Sequence, residues 1–189
     1  MKRTLITLAL LFINTAASAH TGHDSSGFTT GLVHPFSGMD HLLAMLAVGL
    51  WAGQLGGQRI WQLPATFMAM LVGGAFVPMW VPSLTLIEPG IAASVLILGL
   101  LIASPTKLAI PISFALTAAF GLFHGYAHGS EMPSAAAPLA YAAGFLLATA
   151  SLHVSGIVIG SALRERFTRL VQVVGMSIAA MGAWMLVTI

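Results

Sequence analysis

Residues 136–161 read AAPLAYAAGFLLATASLHVSGIVIGS, a run of 26 residues that contains no Asp, Glu, Lys or Arg. A helix needs about 20 predominantly apolar residues to cross the hydrocarbon core of a bilayer, so this run predicts a membrane-spanning helix. The whole 189-residue chain has the same character, since it is 58% hydrophobic and 6% charged. Soluble domains carry roughly 25% charged residues. The composition therefore excludes an ordinary soluble domain.

Five further apolar segments are of similar character. Together the six predicted spans cover 31–53, 62–81, 87–104, 108–128, 136–161 and 170–188. Glycines recur every four residues in several of them, a spacing that lets membrane helices approach closely. These glycines are Gly49, Gly53 and Gly57, then Gly121, Gly125 and Gly129, and finally Gly156 and Gly160. The sequence thus predicts an all-α membrane protein with a tightly packed bundle of six transmembrane helices.

The first 19 residues have the pattern of a secretory signal peptide. Lys2 and Arg3 precede a short apolar stretch at 5–13, and the small residues at 17–19 supply a cleavage site. The apolar stretch is too short to cross a bilayer comfortably, which argues against a further helix. We therefore expect cleavage after Ala19, which leaves 20–189 as a single six-span domain in the inner membrane of a bacterium.

The positively charged residues beyond the signal peptide all fall in the first, third and fifth connections between spans. They are Arg59, Lys107, Arg164, Arg166 and Arg169. Cytoplasmic connections are rich in Lys and Arg, so the N-terminus and the C-terminus are both predicted to lie outside. Trp51 and Trp61 flank the first connection, as interfacial tryptophans do. Five scattered cations form no nucleic-acid-binding patch.

Under this topology, polar side chains gather at the outer ends of three spans. The set consists of His34, Asp40, His41, Glu88, His124, His128 and Glu131. In a continuous helix His34 and His41 are about two turns apart and share a face, and residues four apart also stack on one face. Imidazole suits zinc, copper, iron and nickel, and carboxylates orient the rings. The cluster therefore predicts a site for a divalent transition-metal cation.

Other residues of this kind are open to two interpretations. Phe67 and His153 lie within the second and fifth spans, where each is a candidate for the cation's route or simply a packing residue. His20 and His23 belong to the mature N-terminal tail and either capture metal or form a solvated terminus. The absence of Cys excludes a thiolate metal site.

Two stretches of this chain resemble a known family. Residues 34–52, HPFSGMDHLLAMLAVGLWA, look like the first-span signature of the HupE/UreJ family of nickel/cobalt permeases, a His followed by five residues and Asp-His. Residues 123–131, FHGYAHGSE, are similar to the second signature of that family. The larger classical nickel/cobalt transporters have a four-residue gap before Asp-His. The resemblance covers the mature chain, and the signal peptide favours the HupE-like branch.

The resemblance implies a permease for secondary uptake of Ni²⁺, or Co²⁺, that serves hydrogenase or urease assembly. The cation is then the substrate, and no permanent cofactor or enzymatic activity is expected. Its expected ligands are His34, Asp40, His41, His128 and Glu131, with His124 and Glu88 as further ligands or their supports. Two alternatives stay open, namely an intramembrane metal-dependent hydrolase and a metal sensor or accessory protein that binds a cation without moving it. A homo-oligomer is compatible with the sequence.

Overall fold

The described part of the chain is built from helices. The computed structural model describes residues 27–104, 108–131, 137–164 and 167–189, and every regular element in these ranges is helical. The α-helices in these ranges are α1 (Gly27–Val33), α2 (Met39–Leu55), α3 (Arg59–Phe76), α4 (Ile87–Ala103), α5 (Ile110–Ser130), α6 (Pro138–Leu163) and α7 (Thr168–Thr188). Short 3-10 turns follow α1 at His34–Phe36 and α3 at Val77–Met79. The predicted all-α class is confirmed.

The lengths and surfaces of these helices suit a bilayer. By length and composition, four helical stretches can cross a membrane, namely Arg59–Met79, Ile110–Ser130, Pro138–Leu163 and Thr168–Thr188. The bent pair Gly27–Phe36 and Met39–Leu55 adds a fifth if it counts as one span, and α4 is a shorter apolar helix. Large apolar side chains point outward, with Leu139 87% and Val187 81% exposed. The chain is a membrane protein, and the count of six spans stays a prediction.

The first predicted span is not one continuous helix. Its two helical parts, α1 with its 3-10 turn and α2, meet at an angle of 79°. Pro35 lies in the turn, and Gly38 has an extended backbone with φ −109° and ψ 125°. Proline lacks the N–H that would continue the helical ladder. The expectation that His34 and His41 share one face of a continuous helix was therefore wrong.

Close backbone approach determines which helices pair. A Cβ atom at Gly53 would lie 2.6 Å from the carbonyl oxygen of Ile157, and one at Gly121 would lie 2.6 Å from that of Phe67. The other glycines of the expected sets that meet a neighbouring backbone in this way are Gly49, Gly125, Gly129, Gly156 and Gly160. Helix α2 therefore packs on α6 and α3 packs on α5, as small residues four apart allow.

The end of α2 differs from the sequence expectation in two details. Gly57 has a φ of +60° in the turn after α2, and no neighbouring atom lies within 4 Å of the position of its missing Cβ. It therefore serves the turn and not a helix interface. Trp51 is only 2% exposed and lines a cavity with Leu101 and Val171. It belongs to the core, because α4 and α7 cover this end of α2.

The same contacts determine the directions of the helices. Successive residues of α2 meet successive residues of α6, and α3 meets α5 in the same way, so each pair runs parallel. Helices α4 and α7 run antiparallel, since Gly99 meets Ala179 and Gly182 meets Leu96. The starts of α2, α4 and α6 thus share one end of the bundle with the ends of α3 and α5. The described arginines lie at the opposite end, and they are Arg59, Arg164 and Arg169.

Candidate metal-binding site

Four imidazole rings meet where α2 begins and α5 ends. The ring centroids of His34 and His128 are 4.9 Å apart. His41 lies 4.3 Å from His128 and 5.2 Å from His124 by the same measure. His34 comes from the 3-10 turn, His41 from the start of α2, and the other two from successive turns of α5. The bend after α1 therefore lets both parts of the broken span contribute to one cluster.

The exposed edge of this cluster combines two histidines with a carboxylate. His34, His128 and Glu131 each offer one ligand atom, and the three atoms lie within 4.8 Å of one another. His34 Nε2 lies 3.8 Å from Glu131 Oε2. Donors at about 2.1 Å from a tetrahedral ion lie roughly 3.4 Å apart. Two of the three side chains, His34 at 27% and Glu131 at 52%, are partly exposed and therefore have room to close around one cation beside the buried His128.

Asp40 holds the ring of His41. One carboxylate oxygen accepts the backbone N–H of His41 at 2.8 Å and lies 2.7 Å from Nδ1 of the same residue. An ionised carboxylate only accepts hydrogen bonds, so Nδ1 of His41 carries the proton. Nε2 of the neutral ring is then left with a lone pair. This is the carboxylate–imidazole arrangement that orients histidine ligands in metal sites.

The interior of the cluster contains buried ring nitrogens without hydrogen-bond partners. No group in the described ranges pairs with His41 Nε2, with His124 Nε2 or with either ring nitrogen of His128. A buried polar group without a partner costs about 1–3 kcal/mol, and folded proteins pair nearly all of them. Four such atoms in adjacent rings indicate a place for a ligand that supplies the missing partner. A divalent transition-metal cation has the chemistry to do so.

Glu88 lies beside the cluster and not among its rings. It is in the first turn of α4 and lines a cavity of about 210 Å³ together with Asp40. Apolar side chains of α4 and α7 form much of the remaining wall, including those of Ile91 and Met185. Two carboxyl groups in one recess next to the imidazoles favour the approach of a cation.

The other residues singled out in the sequence lie deeper or fall outside the described ranges. Phe67 of α3 stands against two imidazoles, with ring centroids 5.5 Å from His124 and 5.3 Å from His153. All three side chains are fully or almost fully buried. The tail residues His20 and His23 lie outside the part of the chain that the structure describes.

Comparison with known proteins identifies the family. The family model described as HupE / UreJ protein matches residues 8–185. The chain belongs to the HupE/UreJ family. It is 42% identical over 185 residues to Protein HupE of Rhizobium leguminosarum bv. viciae, a match that covers 96% of this chain and 95% of that protein. No solved structure matches the chain. The resemblance inferred from the two signatures is confirmed, and with it a general relation to nickel and cobalt transport.

Two aromatic residues of this HupE/UreJ chain complete the cluster although the sequence did not single them out. The ring centroid of Phe145 lies 4.1 Å from that of His128, and that of Tyr141 lies 5.8 Å from that of His34. The Tyr141 hydroxyl is buried with no hydrogen-bond partner among the described residues. The sequence feature that could have indicated Tyr141 is that it is one of only two tyrosines in the chain and lies at the outer end of an apolar span. Helix α6 therefore forms an aromatic wall beside the imidazoles.

Proposed function

We propose that this chain is a secondary transporter that imports Ni²⁺, or Co²⁺, across the bacterial inner membrane for the assembly of hydrogenase or urease. The observation that carries the proposal is the group of unpaired buried nitrogens on His41, His124 and His128, next to the ligand atoms of His34 and Glu131. Neutral imidazole and carboxylate are suitable donors for both cations. Membership of the HupE/UreJ family supports the same function.

The arrangement supports a stepwise binding of the cation from the outer side. Asp40 and Glu88 line the neighbouring recess and attract the hydrated ion. The ion then exchanges water for His34, His128 and Glu131, whose ligand atoms are already close together. His41, held by Asp40, offers the next lone pair toward the interior. Ligands are thus replaced one at a time, so that the cation stays coordinated at every stage.

The distribution of charge supports the orientation proposed for the transporter. The described arginines lie at the end of the bundle away from the histidines, and positive residues favour the cytoplasmic side. The histidine cluster, the N-terminus and the C-terminus then lie outside. In this proposal residues 1–19 are the signal peptide that directs the chain to the inner membrane.

The test is uptake of ⁶³Ni²⁺ into proteoliposomes, with Co²⁺, Zn²⁺ and Mn²⁺ as competitors. We expect saturable uptake that Co²⁺ or excess Ni²⁺ suppresses and that His128→Ala abolishes. His34→Ala should also abolish uptake, and it disturbs the core less, because that side chain is 27% exposed. Ser155→Ala is the matched control, since its exposed hydroxyl donates to the carbonyl of Ser151 within α6. Absence of uptake by the wild type, or wild-type uptake by both histidine variants, would refute the proposal.

A further inference from the structure

Two histidines in the interior of the bundle have their ring orientation set by the backbone. His124 Nδ1 lies 2.9 Å from the carbonyl oxygen of Phe120, and His153 Nδ1 lies 2.7 Å from that of Met45. A carbonyl oxygen only accepts hydrogen bonds, so each Nδ1 donates and carries the proton. In the neutral ring, Nε2 then has a free lone pair, the form in which histidine binds metal.

Neither of these lone pairs has a partner within the described ranges of the chain. His124 is fully buried and His153 is 1% exposed, and no described group forms a hydrogen bond with Nε2 of either ring. The hydrogen bond from His153 Nδ1 to the carbonyl of Met45 joins α6 to α2, so a purely structural role accounts for that bond. It does not explain the unpaired Nε2, since an apolar side chain of similar shape would avoid that cost.

Phe67 stands next to both rings. Its centroid is 5.5 Å from that of His124 and 5.3 Å from that of His153, and its plane is nearly perpendicular to His153, at 86°. His124 in turn lies 5.2 Å from His41, which together with His34, His128 and Glu131 forms the outer cluster. Inward from the outer cluster the next imidazole is that of His124, and beyond it lies that of His153. The ring of Phe67 is in contact with both.

We propose that His153 Nε2 is an inner ligand that receives the cation from His124 when the ring of Phe67 turns aside. This inference rests on the proposed transport function and adds a second, inner metal-binding site to it. The transfer is a ligand exchange, in which the bond from the metal to His124 Nε2 breaks as the bond to His153 Nε2 forms. Because both rings are neutral and keep their Nδ1 protons, the step neither releases nor consumes a proton.

The decisive variant is His153→Asn. The side-chain amide of Asn places an N–H near the position of Nδ1, so it can still donate to the Met45 carbonyl, but nothing replaces Nε2. We expect this variant to melt near the wild-type temperature and to bind Ni²⁺ at the outer cluster as the wild type does. Its initial rate of ⁶³Ni²⁺ uptake into proteoliposomes should fall by at least about 10-fold, because losing even a residue that only supports a metal ligand typically costs about 10- to 100-fold.

Uptake by His153→Asn within twofold of the wild type would show that His153 only joins two helices, and would overturn the inference. If that variant does not fold, His124→Asn tests the same path, since it keeps a donor for the Phe120 carbonyl and removes the other lone pair. Uptake unchanged in that variant likewise overturns the inference. A wild type that transports and a His128→Ala variant that does not would leave the proposed function standing in either case.

Discussion

Substitution of Gly121 by Ala tests whether the contact between α3 and α5 is as tight as the structure indicates. The new Cβ would lie 2.6 Å from the carbonyl oxygen of Phe67, and real Cβ atoms essentially never approach closer than 3.0 Å. The helices must therefore separate by at least 0.4 Å, and by 0.8 Å to reach an ordinary contact of 3.4 Å. Since the obstacle is backbone, no side-chain rotation relieves it. Overpacking of this kind lowers the free energy of unfolding by about 1–3 kcal/mol.

Thermal unfolding of the purified protein in detergent measures this effect. At about 2–4 °C per kcal/mol for a chain of this size, the Tm of Gly121→Ala should lie roughly 2–12 °C below that of a Gly→Ala variant whose new Cβ meets no obstacle. Gly73→Ala is the matched control, because among the described residues no atom outside its own stretch of helix lies within 4 Å of its new Cβ. Alanine is about 1 kcal/mol better than glycine in a helix, so the control should not melt lower than the wild type. Equal Tm values for the two variants would refute the close contact.

Two further predictions concern the binding chemistry and the outer end of α5. Protonated imidazole cannot bind metal, so the affinity for Ni²⁺, measured by equilibrium dialysis, should fall once the pH is low enough to protonate the ligand histidines; an affinity that is the same at every pH at which the protein stays folded would contradict histidine ligation. Tyr126→Phe removes a hydrogen bond of 2.9 Å from the Tyr126 hydroxyl to the carbonyl of Val81. The free energy of unfolding should then fall by about 1 kcal/mol, and an unchanged Tm would show that this bond contributes nothing.

Hydropathy predicts where these helices lie but not how they bend or pair. The predicted span 170–188 corresponds to Thr168–Thr188, because an apolar run must end where polar connections begin. The break after Phe36 was not predicted, because the mean hydropathy of a segment does not show where its helix bends. Glycines four apart indicate that a helix packs closely. They do not say against which neighbour, so the pairing of α2 with α6 required the structure.

The sequence predicts which residues belong to the site, but not the contacts of those that lie in the interior of the bundle. Topology alone predicted that Glu131 and His128 lie at the same end of the bundle as His34, and the structure brings their ligand atoms within 4.8 Å. Topology does not predict the role of His153. Its Nδ1 bonds to the carbonyl of Met45, which is 108 residues away in the chain, and such a contact depends on tertiary packing alone.

The bend between α1 and α2 also has an electrostatic consequence. It places the beginning of α2 against the imidazoles, and the first N–H groups of a helix act as about half a positive elementary charge. That field repels a divalent cation. Asp40 lies in the first turn, where its carboxylate accepts the N–H of His41. The residue that orients the histidine ring thus also neutralises the helix dipole at the point where a cation would approach.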